Sequence, residues 1–144
     1  MEIRTDYLVI GSGIAGLVFA LTAARTGTVA IVTKKERMET STNYAQGGIA
    51  SVFAPDDSME LHVRDTLESG AGLCKEKIVR MVVEEGPPRI RELMSMGVRF
   101  STQGDDRENL ELGMEGGHTR RRIVHTKDRT GQEVESVLLR CIDE

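Results

Sequence analysis

The sequence has no tryptophan and only 3% aromatic residues. That is too few rings for successive bases to stack on, so a platform for single-stranded nucleic acid is excluded. Positive charge is not in excess: the 144 residues carry a formal net charge of −4, which argues against a phosphate-tracking basic surface and so against a nucleic-acid partner. Cysteine is limited to Cys74 and Cys141. They lie far apart and make no metal-ligand spacing, so no metal site is expected. Two reduced, buried thiols of a cytoplasmic protein are the simplest expectation. Long apolar runs are missing too. The longest, Leu8 to Ala24, is broken by three glycines and preceded by Glu2 and Asp6, where a leader peptide carries positive charge. It is also shorter than the ~20 residues a bilayer requires. Neither a targeting segment nor a membrane segment is expected.

What is present is an ordinary globular balance, 39% hydrophobic and 29% charged, with 15 glycines. The length corresponds to roughly one domain with a core of its own. Tyr7-Leu8-Val9-Ile10 reads as a strand buried on both faces, as in a parallel sheet. Leu17, Ala20, Leu21 and Ala24 then recur at helical spacing until Gly27, and residues 28–33 form a second β-rich run. This is a βαβ unit of an α/β fold with a parallel sheet and crossover helices. Residues 34–55 read mostly as loop. A helix is expected over 57–69, with Met59, Val63, Thr66 and Leu67 on one face and a capping box of Asp57 and Glu60. Another runs over about 75–85 and is ended by Gly86-Pro87-Pro88. A third continues to Met96, and a short strand follows at Val98-Arg99-Phe100. Residues 103–108 form a polar turn, and residues 121–125 are strand-like. The last helix has Thr130 and Glu133 as a capping box and Val134, Val137, Leu138, Cys141 and Ile142 as its apolar stripe.

The turn Gly11-Ser12-Gly13-Ile14-Ala15-Gly16 hands the first strand to the first helix. Gly11 permits the tight turn, Gly13 lets a pyrophosphate approach the backbone, and Gly16 lets the helix pack on the sheet. The free N–H groups and the positive end of the helix dipole then face phosphate. Because the pattern follows a strand and opens a helix, it points to a dinucleotide. Which one stays open at this point. The acidic residue that binds a ribose 2′-hydroxyl is expected about 20 residues on. Thr33 and Lys34 stand there instead, with Glu36 late. Lys34 suits the 2′-phosphate of NADP, as in a non-catalytic NADP-binding module, or the adenosine half of FAD. The stretch Ser41-Thr42-Asn43-Tyr44-Ala45-Gln46-Gly47-Gly48 is rich in hydroxyls, amides and backbone donors. It suits an extended cofactor as well as it suits a surface loop.

Residues Asp6 to Gly16 together with Ser41 to Ala50 resemble the flavoproteins of the succinate dehydrogenase/fumarate reductase family. Glu115-Gly116-Gly117-His118-Thr119, Arg121-Arg122-Ile123-Val124-His125 and Asp128-Arg129-Thr130-Gly131 are similar to its L-aspartate oxidase branch. The resemblance covers essentially the whole chain. It implies a Rossmann-like FAD-binding domain contacted through Gly11, Ser12, Gly13, Ile14, Ala15, Gly16, Lys34, Ser41, Thr42, Asn43, Tyr44, Ala45, Gln46, Gly47 and Gly48. Respiratory members bind FAD covalently through a histidine at the position of Ser41, so FAD is expected to be non-covalent here. They also carry an apolar residue at the position of Glu115. A carboxylate there, buried against a partner of opposite charge, suits the ammonium group of an amino-acid substrate.

The resemblance therefore implies oxidation of L-aspartate to iminoaspartate, with oxygen or fumarate as electron acceptor. Quinolinate synthase would be the functional partner in NAD biosynthesis. A succinate- or fumarate-type flavoenzyme is the nearest rival. His118, His125 and the triplet Arg120 to Arg122 stay outside the expected site, the triplet being expected as a solvated or salt-bridged stretch. The resemblance further implies that residues 1–144 are the N-terminal part of a FAD-binding domain, incomplete at the C-terminus. The acid–base arginine, the capping domain and the rest of the cofactor domain would lie beyond Glu144, and residues 1–144 alone would be inactive and bind FAD poorly, with exposed apolar edges or partner chains where further sheet strands would lie.

Overall fold

Tyr7–Ile10 (β1) and Val29–Val32 (β2) pair in parallel, with Tyr7 opposite Val29 and Ile10 opposite Val32. Parallel neighbours need a crossover, and Ile14–Ala23 (α1) supplies it. The pairing is fastened at its start. The Asp6 carboxylate accepts from the Thr28 backbone N–H and hydroxyl, each at 2.8 Å, and Thr5 donates to the Thr28 carbonyl at 2.7 Å. The Thr28 N–H, followed by its hydroxyl, holds the Asp6 carboxyl below the usual carboxylate range.

The computed structural model describes residues 2–144, which divide into two compact units. The first comprises residues up to Gln46 and Arg129–Glu144. Here α1 packs on both strands and against Thr130–Asp143 (α4). Its core is Val9, Leu17, Ala20 and Ala23 from the βαβ unit, with Val134, Val137, Leu138 and Leu139 from α4. The expected stripes shift slightly: Ala23 is buried where Leu21 and Ala24 were expected, and Leu139 where Cys141 and Ile142 are half-buried. Helix α4 starts at Thr130 itself, with Arg129 at the N-cap position. Strand β1 is not buried on both faces. Val9 is buried, whereas Leu8 and Ile10 are 60% and 85% exposed, and Val32 on β2 is 54% exposed. The parallel sheet has two strands among the described residues, so alternate side chains have no layer over them.

The second unit is Gly47–Asp128. Ile49–Ala50 (β3), Leu112–Gly113 (β4) and Ile123–Val124 (β5) form a small antiparallel sheet with β5 in the middle. Met59–Ser69 (α2) packs against Glu76–Met96 (α3). The core includes Val63, Val83, Ile90, Leu93, Phe100, Ile123 and Val124. Three expectations need correction. Helix α3 runs unbroken through Gly86, Pro87 and Pro88. Each proline forfeits one intrahelical donor, but Val83, Pro87, Ile90 and Leu93 are all buried, and that packing outweighs the loss. The N-cap of α2 is Ser58, whose hydroxyl accepts from Leu61 N–H at 3.2 Å, so Asp57 lies one residue outside the helix. Residues 98–100 are extended but not a strand: Val98 N–H returns to Leu93 O, and the ladder begins only with the Thr102–Leu110 bridge. Cys74 and Cys141 form no disulfide, and both are half-buried rather than buried.

No helix among the described residues is long and apolar enough to cross a membrane. No cluster of three or more His, Cys, Asp or Glu side chains among them is arranged to hold a metal ion.

Candidate functional site

The chain leaves β1 through Gly11, whose φ of +106° is a conformation that favours glycine. Gly11 N–H still reaches across to Val32 O at 2.8 Å, so the turn begins inside the sheet. Gly13 is the N-cap of α1, with extended backbone and no side-chain cap. A β-carbon on Gly16 would overlap the Gly11 carbonyl oxygen and lie 3.3 Å from Val9 Cγ1, so a side chain there would push the helix off the sheet. Ser12 is buried, and its hydroxyl donates to Arg37 O at 2.8 Å, tying the turn to the segment after β2. Ile14 and Ala15 are exposed at the helix mouth. The first turn of α1 carries no acidic residue, so no carboxylate competes there for its N–H groups.

The second stretch meets this turn. Thr42 Oγ1 accepts the Ile14 N–H at 3.1 Å, and it lies 3.3 Å from where a β-carbon on Gly13 would stand. Thr42 thus caps α1 from 28 residues away and brings Ser41–Gln46 to the helix N-terminus. The loop is held from below by α4, where Gly131 N–H donates to Ala45 O at 3.0 Å. A β-carbon on Gly131 would collide with Thr42 O. Ser41, Tyr44, Ala45 and Gln46 are exposed, whereas Asn43 is half-buried with its Oδ1 buried and without a hydrogen-bond partner among the described residues. Glu135 lies under the same loop. It is fully buried, neither carboxyl oxygen has a well-formed hydrogen bond, and burial pushes its pKa up, with the Thr40 hydroxyl opposing. Glu135 was missed from sequence because it reads as the solvent side of an amphipathic helix. Lys34 follows β2 and is exposed.

Gly47, Gly48 and Glu115 belong to the second unit. Gly48 backs onto β5, where a β-carbon would overlap Ile123 Cγ2. Gly47 is exposed, and Glu115 Oε1 lies 3.5 Å from where its β-carbon would be, so the end of the second motif and the head of the third are neighbours. Glu115 is exposed rather than buried, because the whole stretch from Met114 to Gly117 is a surface turn.

The arginine triplet divides. Arg121 is exposed, and Arg120 pairs loosely with Asp56 at 3.8 Å near the surface. Arg122 is completely buried, and it is the salt-bridged member of the stretch rather than a solvated one. It donates from Nε and Nη2 to both Asp57 oxygens at 2.8 Å, and from Nη1 to Asp65 Oδ2 at 2.9 Å. In the sequence Asp57 reads only as a helix cap, and His62 and Asp65 are not singled out. The available signal was that His62 and Asp65 sit at i and i+3 on the face of α2 that carries Val63. The His125 carbonyl accepts from Ser101 N–H at 2.8 Å.

Comparison with known proteins agrees with this geometry. The family model described as FAD binding domain matches residues 6–144. The chain is 56% identical to the chloroplastic L-aspartate oxidase 2-a of Nicotiana tabacum, over 95% of this chain and 21% of that protein. It is 46% identical to the L-aspartate oxidase of Vibrio cholerae, over 95% of this chain and 26% of that one. Among solved structures, Mycobacterium smegmatis Sdh1 in complex with UQ1 superimposes with a TM-score of 0.86 at 34% identity, covering 96% of this chain and 23% of that one. An E. coli quinol fumarate reductase FrdA variant gives 0.88 at 28% identity, covering 98% and 24%. The chain spans between a fifth and about a quarter of the length of these relatives. The chain belongs to the FAD binding domain family, with the fold of the succinate dehydrogenase and fumarate reductase flavoproteins.

Proposed function

We propose that this chain holds FAD non-covalently and contributes, within a longer protein, to the oxidation of L-aspartate to iminoaspartate. The observation that carries the cofactor part is the bond from Ile14 N–H to Thr42 Oγ1, which joins the glycine turn and the Ser41–Gly48 loop at one helix N-terminus. The residues fit the group. The mouth of α1 offers backbone donors to a pyrophosphate with no acidic side chain against it. Asn43 Oδ1 is a buried acceptor without a donor, suited to a hydroxyl or ring N–H of a flavin nucleotide. Gly11 to Gly16 would hold the pyrophosphate, Lys34 the adenosine side, and Ser41 to Gly48 the flavin side. Ser41 has no imidazole with which to form the covalent link of respiratory members.

When bound, the flavin supplies hydride acceptance, and oxygen or fumarate would take the electrons onward. This chain's own residues bind, orient and select. Glu115 is a free carboxylate at an exposed turn, beside Gly47, and its charge is opposite to the ammonium of aspartate. The reading carries with it a cytoplasmic setting, supply of iminoaspartate to quinolinate synthase, and an acid–base arginine and capping domain outside residues 1–144. Purification of the longer protein tests it. Flavin absorbance that passes entirely into the supernatant on acid precipitation, and bleaching by aspartate but not by succinate, are the expected results. Bleaching by succinate alone would support the respiratory-type rival, and absence of flavin would remove the proposal. Residues 1–144 alone should show no aspartate-dependent flavin reduction.

A further inference from the structure

The turn that carries Glu115 is anchored by a buried charge network. Gly117 has φ +82°, and a β-carbon there would lie 2.6 Å from Ser69 Oγ at the end of α2. Two residues on, Thr119 is clamped to Asp65: its N–H donates to Oδ2 at 2.8 Å, and its hydroxyl reaches Oδ2 at 2.8 Å and Oδ1 at 3.1 Å. Asp65 is held in turn by Arg122 Nη1, and Arg122 by both oxygens of Asp57. Asp57 also accepts the Ser58 N–H at 2.8 Å. Both ends of the Arg122 guanidinium are therefore fixed, and its bonds to Asp57 and Asp65 are buried or half-buried.

His118 lies between Glu115 and this anchor. Its Nδ1 is 3.3 Å from Arg122 Nη1. Guanidinium only donates, so Nδ1 must accept and the ring proton sits on Nε2. The ring meets His62 edge-on at 5.6 Å. Burial, then the charge of Arg122, pushes the His62 pKa down, so His62 is neutral at neutral pH. A buried ion pair is weak grounds for stability, because a well-packed apolar replacement often does as well. What the pair does supply here is a fixed direction for a surface turn that has few apolar contacts of its own.

We propose that Asp65, Thr119 and Arg122 are positioning residues that hold the Glu115 carboxylate for recognition of the substrate ammonium. The inference rests on the reading of Glu115 given above. Its test uses the longer protein with FAD bound, and Thr119→Val is the main variant because it removes only the hydroxyl. The expected result is a KM for aspartate raised about tenfold, with kcat and flavin content within twofold of wild type. Inhibition by succinate, which has no ammonium, should be unchanged. Thr119→Ser should restore the KM. In the Glu115→Gln background, Thr119→Val should add less than twofold, because both act through one carboxylate.

Equal losses toward aspartate and succinate, or full additivity with Glu115→Gln, would overturn the inference. If Glu115→Gln alone leaves the KM unchanged, the reading of Glu115 fails. If it raises the KM and Thr119→Val does not, only the positioning inference fails. A readout independent of activity is amide hydrogen exchange at residues 115–119, expected to quicken in Thr119→Val while exchange in α3 stays as in wild type. Unchanged exchange in the turn would also overturn it.

Discussion

Two glycines of one motif should fail in different ways when replaced by alanine. At Gly16 the added methyl overlaps the Gly11 carbonyl oxygen and stands 3.2 Å from Gly11 C and 3.3 Å from Val9 Cγ1. None of these atoms is free to move. Gly11 is fixed by its φ of +106° and its bond to Val32, and Val9 is the buried residue of β1. Relief therefore requires α1 to lift from the sheet, an overpacking cost of about 2–3 kcal/mol. At a urea dependence of about 1–2 kcal/mol per molar, the unfolding midpoint falls by about 1–3 M. At Gly13 the backbone angles of −72° and 174° suit alanine, and the methyl meets only Thr42 Oγ1 at 3.3 Å. Stability should change by less than about 1 kcal/mol. On the proposed reading that methyl stands in the path of the pyrophosphate, so FAD affinity should drop at least about tenfold. Urea melts followed by circular dichroism, with FAD titrations followed by flavin fluorescence, separate the two outcomes. A Gly16→Ala melt that matches wild type, or a Gly13→Ala variant that loses as much stability as Gly16→Ala, would refute the reasoning.

Thr42→Val should cost about 1 kcal/mol in the urea melt, because it leaves Ile14 N–H at the head of α1 without its acceptor, and should weaken FAD binding as well. Glu135→Gln should raise the melting temperature at pH 7.5 and leave it nearly unchanged at pH 4. The raised folded pKa means that the native state keeps a proton the unfolded state loses, so stability falls as pH rises from the usual glutamate value through the folded one, and glutamine removes that fall. Asp65 titrates with the opposite sign. Burial raises its carboxyl, but the Thr119 bonds and Arg122 outweigh it and hold the pKa below 3.8, so its contribution is complete above that value and is lost as pH falls through the lowered one. Acid melts of wild type and Thr119→Val should therefore converge as pH falls through the lowered Asp65 value.

The parts read correctly from sequence are those whose chemistry is local. A strand, three glycines and a helix are contiguous, so spacing alone specifies the βαβ unit and its glycine turn. The misreadings share a different cause. Hydropathy assigns Asp65 and His62 to solvent, and three adjacent arginines look alike. What separates Arg122 from Arg120 and Arg121 is a pair of carboxylates 57 and 65 residues away, a separation that no helical or strand period records. Thr42 is the same case at a separation of 28: within its own stretch it is one polar loop residue among several, and only the fold makes it the cap of α1. Helix α3 is the converse, since Pro87 and Pro88 are strong local stop signals that a buried face overrides. The two halves of the proposed function accordingly differ in how they can be read. The cofactor turn is written in consecutive residues. The placement of Glu115 is written in pairs, and a change at Thr119 or Asp65 can alter substrate choice without touching any residue of the recognisable motif that precedes it.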